Sequence, residues 1–480
     1  MSISHLQPES LWSYFSQLNA IPRASKKEEA VLQWLKSFAE EHQLRYAQDA
    51  IGNLVIYKAG TQGKEDNPAV VLQGHVDMVH QKNADTSFDF DTMGIQMHID
   101  GDWVRARGTT LGADNGIAVA TMLALLASTD IAHPPIEALF TVDEEAGMTG
   151  AMNLDGSLLS GKLMLNMDTE EDDEFTIGSA GGVDTTTELA YDTASLPNSG
   201  QVWKLGLRGL QGGHSGMEIH LGLGNANILL AQLLLELNAS MRLISFDGGS
   251  LRNAIPREAV AEIWTASEDD NQWKKLREAA EDLKKVYSVT DPRMDFFIEK
   301  IEVKKMVQSA NETQSIRILQ SIAGCPNGIF RMSSAAPGLV ETSSNLARIE
   351  LSDGLFRTLS LQRSSIDSSR DLAGKAVGAS FAAIGAKVVH TGHYPGWQPA
   401  TNSKIVDLMH ATYSSLFGES PRVTICHAGL ECGIIGERCP GMEMISYGPT
   451  IKGAHSPDER VSISSVQKFW QLTLETLRQL

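Results

Sequence analysis

The 480-residue sequence predicts an α/β protein in which a doubly covered mixed sheet forms a discontinuous domain interrupted by an inserted α+β domain. Three observations carry this expectation. Short β-rich runs alternate with a helix-patterned stretch up to residue 168. The rhythm changes near Gly181–Gly182. The first pattern then resumes after Val388.

Residues 8–43 carry two helical periods, Leu11, Tyr14, Phe15 and Leu18, then Val31, Leu32, Trp34, Leu35 and Phe38. Their spacing of three and four places them on one helix face. From residue 52 the runs NLVIYKAG, AVVLQGHVD, IEALFTVDEE and KLMLNMD read as strands, with GIAVATMLALLAS as a helix between the second and third. Such alternation predicts a largely parallel sheet covered on both faces. Beyond Gly182, VWKLGLRGLQGGHSG reads as strand and turn, GNANILLAQLLLEL as helix, MRLISFDGGSLRNAIP as strand and turn, and REAVAEIWTAS as strand. A polar helix near 270–286 follows, then a strand around 296–303, a helix near 312–324, strands within 338–362 and a helix near 367–384. This set predicts an antiparallel sheet with its helices on one face. After Val388 come a helix at 403–417, the HAGLECG turn, a strand in MEMISYG and a last helix from about Ser462. The domains are expected at 1–182 with 391–480, and at 183–390.

An apolar fraction of 42% fits a soluble globular protein, and no apolar run approaches the roughly 20 residues of a membrane span. The amino terminus, MSISHLQPES, lacks the basic-then-apolar pattern of a signal peptide. The four cysteines form no CxxC pair, so neither a thiolate metal site nor a disulfide framework is indicated, and a reduced cytoplasm is expected. A net charge of −19 argues against nucleic acid as a partner, because phosphates would be repelled.

Five segments put a His, Asp or Glu straight after an apolar run or beside glycine: GHVDM (Gly74 to Met78), GADNG (Gly112 to Gly116), VDEEAG (Val142 to Gly147), NMD (Asn166 to Asp168) and GAHSPDE (Gly453 to Glu459). Strands end at such places, and side chains there project into the cleft at a sheet's carboxyl edge. One HxD or one EE pair is an ordinary structural feature. Five together supply the donors of a two-metal hydrolytic centre. His75 and His455 offer imidazoles, Glu145 and Asp168 one carboxylate each, and Asp114 a carboxylate able to bridge two ions. Nitrogen and oxygen donors without thiolate suit zinc, with manganese or cobalt as substitutes. Asp77, two residues from His75 on the same side of a strand, is placed to accept its other ring N–H. Glu144, beside Glu145, is the candidate general base, taking a proton from water and returning it to the leaving amine. Glu431 in GLECG suits either the substrate's free amine or a buried structural position. Trp397 in YPGWQP suits core packing.

With those residues in view, the sequence resembles the aminoacylase and glutamate-carboxypeptidase-like family of co-catalytic zinc peptidases. The resemblance covers nearly the whole chain and includes QGHVDMVHQKN, WVRARGTTLGADNGIAVA, EEAGMTGA, LRGLQGGHSGMEIHLGLGNAN, LRNAIPRE, YPGWQP, HAGLECG and GAHSPDERV. It implies that His75 and Asp168 hold one metal and Glu145 and His455 the other, with Asp114 bridging, Asp77 orienting and Glu144 catalytic. It also implies a lid domain at 183–390, in which His214 of GGHSG binds the developing oxyanion. Asn253 and Arg363 match lid positions that grip the substrate's carboxyl end. The wider family often has Arg-Tyr-Pro where this chain has Arg363-Ser364-Ser365, a departure from the pattern.

The expected activity is metal-dependent hydrolysis of unblocked dipeptides with broad specificity, including Xaa-His types such as β-alanyl-histidine. A related aminotripeptidase or N-acyl amino-acid deacylase is the alternative, and an inactive binding protein on the same fold is a third reading. Two divalent ions per chain, a cytoplasmic location, no membrane partner and a homodimer through the lid are expected with it.

Overall fold

Strands Val70–His75 and Ile136–Thr141 are buried along their whole length, which is why apolar residues predominate in them without alternating with polar ones. The computed structural model describes residues 3–237, 241–266, 270–302, 307–334, 336–400 and 402–480. It divides into two compact units, one of Met1–Gly178, Trp397–Ile425 and Leu430–Leu480, the other of Ser179–Gly396 and Cys426–Gly429.

The discontinuous unit is built on an eight-stranded sheet. Its centre is parallel: Val70–His75 lies between Ile136–Thr141 and Leu163–Asn166, and Glu443–Ser446 pairs with the latter. Antiparallel strands flank that centre, Arg45–Gln48 and Leu54–Lys58 on one side and Glu174–Ser179 on the other. The expected largely parallel sheet is therefore parallel only at its centre. Helix Ala113–Ala127 links the first two parallel strands and is buried nearly throughout. Helix Ile463–Gln479 buries Val466, Phe469, Leu472, Thr473, Thr476 and Leu477, spaced to one face, and Ser462 caps it by accepting the Ser465 N–H.

A small antiparallel sheet in the same unit joins Met97–Asp100, Trp103–Ala106, Arg460–Ser462 and Ile451–Lys452. The turn between the last two strands carries His455, held in the left-handed region at φ 62°. This sheet is absent from the sequence reading because its strands are two to four residues long, too short to show a period. HAGLECG is not wholly a turn, since helix Glu431–Arg438 starts inside it. Gly436 of that helix serves close packing: a Cβ there would lie 2.9 Å from the Met444 methyl.

The inserted unit holds a nine-stranded sheet, antiparallel at every described pairing. Leu205, Leu207, Ala261, Ile263, Phe246, Ile349 and Phe356 pack with Leu230, Leu234, Ile318, Ile322, Val377 and Phe381 of its helices in one core. Strand Asp295–Ile301 lies where a strand was expected around 296–303, whose last residue falls outside the described ones. Strand Gly181–Ala190 escaped the sequence reading for a physical reason. Its buried positions include Thr185 and Thr187, whose hydroxyls are paired with Gln362 Oε1 and Thr358 Oγ1 at 2.5 and 2.7 Å. Among the described residues no helix is long and apolar enough to cross a membrane.

Candidate metal centre and active site

The parallel strands deliver their carboxyl ends to one edge, and the polar residues follow directly. His75 ends its strand, Asp143, Glu144 and Glu145 follow Thr141, and Asp168 follows Asn166. Asp114 stands at the start of helix Ala113–Ala127, where it and Asn115 have non-helical dihedrals. The structure brings His75, Asp114, Glu144, Glu145, Asp168 and His455 into a single cluster.

Asp114 divides its two oxygens. Oδ1 lies 3.2 Å from His75 Nε2, and Oδ2 lies 3.3 Å from His455 Nε2. Asp168 Oδ1 is 3.5 Å from His75 Nε2, and Glu145 Oε2 is 2.9 Å from His455 Nε2. Each imidazole thus has its own terminal carboxylate and shares the one between them. His75 is 2% exposed and His455 54%, so one side of the cluster is sealed and the other open.

Asp77 ties the group together. Its Oδ1 is 3.3 Å from His75 Nδ1 and accepts the Glu144 N–H, while Oδ2 accepts the Glu145 N–H and the Ser25 hydroxyl. Asn115 Nδ2 donates to Asp168 Oδ1 at 2.7 Å and to the Met167 carbonyl at 2.8 Å.

The charges in this cluster call for a cation. Hydrogen bonds donated to the Asp114 and Glu145 carboxylates push His455 up to about 11. Burial opposes protonation of His75, yet Asp114, Asp168 and Asp77 together hold it well above its ordinary value. Burial pushes Asp168 up to about 6, against the pull of His75. Burial, with Asp168, Glu431 and Glu145 nearby, raises Glu144 well above the usual carboxylate range. Glu145 Oε1 is buried without a hydrogen-bond partner, and such an atom is costly unless a ligand completes it. One donor atom each from His75, Asp114 and Glu145 lies within 4.8 Å of the others, a group that could hold a metal ion. The donor set and the orphaned oxygen fit divalent metal.

Two buried residues beside the cluster, Arg23 and Glu459, are not marked as site residues by the sequence. Arg23 carries no signal in its segment, IPRAS. Glu459 stands in GAHSPDE beside the stronger signal of His455, and the acid two residues ahead of the apolar Val461 is its sequence mark.

Glu431 belongs to the same unit and is fully buried. Its Oε2 accepts hydrogen bonds from Gln73 Nε2 and Thr141 Oγ1, both at 2.6 Å, Oε1 has no partner, and burial pushes the group up to about 7. Trp397 is buried as well.

In the inserted unit His214 sits on a two-residue strand paired with Ala254–Ile255. Its Nδ1 accepts the N–H groups of Gly216 and Met217 at 3.2 and 3.0 Å. A nitrogen that accepts carries no proton, so the neutral ring bears its hydrogen on Nε2. Burial, aided by Arg363, pulls His214 down to about 4 and keeps the ring neutral. Arg363 is 6% exposed; Nη1 donates to the Tyr394 hydroxyl, and Nε has no partner. Asn253 is exposed, and its carbonyl accepts the Ser215 N–H. His427, likewise not marked by the sequence, bonds Ser343 Oγ through Nε2 at 2.8 Å.

Fold and site together define a metallopeptidase. The chain belongs to peptidase family M20/M25/M40, whose family profile matches residues 71–479. It is 43% identical over 484 residues to the cytosol non-specific dipeptidase of Escherichia coli, covering 100% of this chain and 99% of that protein. The crystal structure of aminoacylhistidine dipeptidase from Vibrio alginolyticus superposes with a TM-score of 0.92 at 42% identity, covering 100% of this chain and 98% of that one. A tripeptidase from Staphylococcus aureus shares the fold at 16% identity and a TM-score of 0.56, over 99% and 98% of the two chains.

Proposed function

We propose that the chain hydrolyses the peptide bond of unblocked dipeptides with broad specificity, Xaa-His dipeptides such as β-alanyl-histidine among them. The observation that carries this reading is the divided Asp114 carboxylate, one oxygen facing His75 and the other His455, in a chain whose full-length relatives are a non-specific dipeptidase and an aminoacylhistidine dipeptidase. His75 with Asp168 would hold one divalent cation and His455 with Glu145 the other, with Asp114 between them. Zinc suits these donors best, cobalt and manganese next. When bound, the cations would polarise the scissile carbonyl and acidify water.

Asp77 fixes the His75 ring by facing Nδ1. Glu144 takes the proton of the attacking water on its carboxylate and returns it to the leaving amine; burial, which raises its affinity for protons, supports that role. His214 donates Nε2–H to the developing oxyanion, a role supported by the tautomer that its Nδ1 contacts impose. Arg363 and Asn253 bind the substrate's carboxyl end, and the unpartnered Nε of Arg363 supports its part. Glu431 is buried to its unpartnered oxygen and bonded to Gln73 and Thr141, which supports the buried structural position rather than contact with the substrate's amine. In this scheme the discontinuous unit is the catalytic domain and the inserted unit its lid. The name of the Escherichia coli relative supports a cytosolic location. Strands Asp295–Ile301 and Lys387–Tyr394 lie at the two ends of the inserted unit's main sheet path, and such edges support a homodimer formed through this unit.

The test is a product-release assay on zinc-, manganese- and cobalt-loaded protein with a panel of dipeptides, tripeptides and N-acyl amino acids. Turnover of dipeptides above the other two classes is expected. Preference for tripeptides or N-acyl amino acids moves the assignment to an aminotripeptidase or deacylase, and turnover of none leaves a binding protein.

A further inference from the structure

Arg23 and Glu459 are an oppositely charged pair buried at 0% and 3% exposure. Both turn their hydrogen bonds to the main chain around the metal-centre residues. Arg23 Nη1 donates to the carbonyls of Val76 and Asp77, both at 3.1 Å. Its Nη2 donates to the Gly112 carbonyl at 2.6 Å and to Asn19 Oδ1 at 3.0 Å. Asn19 Nδ2 in turn donates to the Leu111 carbonyl at 2.9 Å. Glu459 accepts four successive backbone N–H groups: Leu111 and Gly112 on Oε2 at 2.6 and 2.9 Å, Ala113 and Asp114 on Oε1 at 2.8 and 3.3 Å.

These bonds tie together the Asn19–Arg23 stretch and three other segments. The guanidinium links the chain just after His75 to the turn before Asp114. The carboxylate links that turn to the loop four residues beyond His455. Gly112 is held from both sides, its carbonyl by Arg23 and its N–H by Glu459. It adopts φ 69°, and a Cβ there would lie 2.4 Å from Arg23 Nη2, so only glycine lets the guanidinium come this close. A planar fork with fixed donors and a two-oxygen acceptor suit this task, since each grips several main-chain groups in one geometry.

We propose that Arg23 and Glu459 are positioning residues of the metal centre, fixing the Leu111–Asp114 turn so that Asp114 keeps one oxygen toward His75 and the other toward His455. Neither touches substrate, and both act through Asp114. The inference rests on the metal-centre reading given above. A purely structural role is the competing account, because Glu459 also satisfies N–H groups at the start of helix Ala113–Ala127, which would otherwise lack partners.

The two accounts separate in zinc affinity. Zinc dissociation constants from chelator competition, kcat and KM for a dipeptide, and the melting temperature of metal-stripped protein are measured for the parent, Glu459→Gln and Arg23→Lys. Glu459→Gln replaces an acceptor oxygen by an NH2 that faces two N–H donors. It is expected to weaken zinc binding by about 10–100-fold, the usual scale for groups that orient ligands, and to lower kcat with KM little changed. Arg23→Lys keeps the charge but cannot span four acceptors, and should weaken zinc in the same direction by less. Both variants binding zinc as the parent does, with only the melting temperature lowered, would overturn the proposal. Should Glu459→Gln fail to fold, Arg23→Lys decides by the same zinc criterion. A parent that binds no zinc removes the metal-centre reading and this proposal with it, an outcome distinct from equal binding by parent and variants.

Discussion

The two oxygens of Asp114 face different imidazoles, and the prediction at the scale of single residues follows from that division. Asp114→Ala should lower metal content as well as rate, because one carboxylate balances charge on both sides. Metal analysis showing both ions held at parental affinity would assign the bridge to another group. His214→Ala should behave differently. Its ring presents Nε2–H and belongs to neither the metal cluster nor the core of the inserted unit. Loss of an oxyanion donor costs on the order of 10²–10³-fold in kcat, with KM, metal content and melting temperature almost unchanged. A variant with parental kcat would remove His214 from the reaction. Every residue proposed for the metal centre stood in a motif visible in the sequence, because ligands follow apolar strand runs directly. Arg23 and Glu459 did not stand out, since their bonds go to main-chain groups that no sequence pattern displays.

At the scale of elements, legibility followed hydropathy. The parallel strands and the long helices were plain because apolar side chains mark their buried faces. Strand Gly181–Ala190 was not, because it buries threonines whose hydroxyls are paired inside the sheet. The short strands around His455 were lost to their length. The segment Cys426–Gly429 gives a pH prediction of its own. His427 is buried, and burial, with Arg363, His214 and His220 adding to it, pulls the ring down to about 3. Its folded value lies below the ordinary value of about 6.5, so above that pH both states are neutral and its titration contributes nothing. As pH falls from about 6.5 toward 3 the unfolded chain takes up a proton that the folded one refuses, and stability drops by up to ~1.4 kcal/mol per pH unit. His427→Asn should flatten that slope between pH 6 and 4 in urea unfolding. An unchanged slope would show that other groups carry it.

For the molecule as a whole, two units with separate hydrophobic cores need not respond alike to metal. All the proposed metal ligands lie in the discontinuous unit. Binding to the folded state stabilises by mass action, about 2.7 kcal/mol at a free concentration 100 times the dissociation constant. Calorimetry should therefore show chelation lowering the transition of that unit while the inserted unit's own transition stays in place. A single transition shifting as one would show that the two units unfold together. In the proposed mechanism, turnover depends on bound divalent metal and on Glu144 as the group that moves the proton. The most direct test is the rate of dipeptide hydrolysis measured against metal bound per chain, for the parent and for Glu144→Gln on the same axis. The parent's rate should climb from near zero as metal is restored to stripped protein, while Glu144→Gln binds the same metal and stays about 10²–10⁴-fold slower throughout. Full turnover by metal-stripped parent, or parental rates in fully loaded Glu144→Gln, would contradict it.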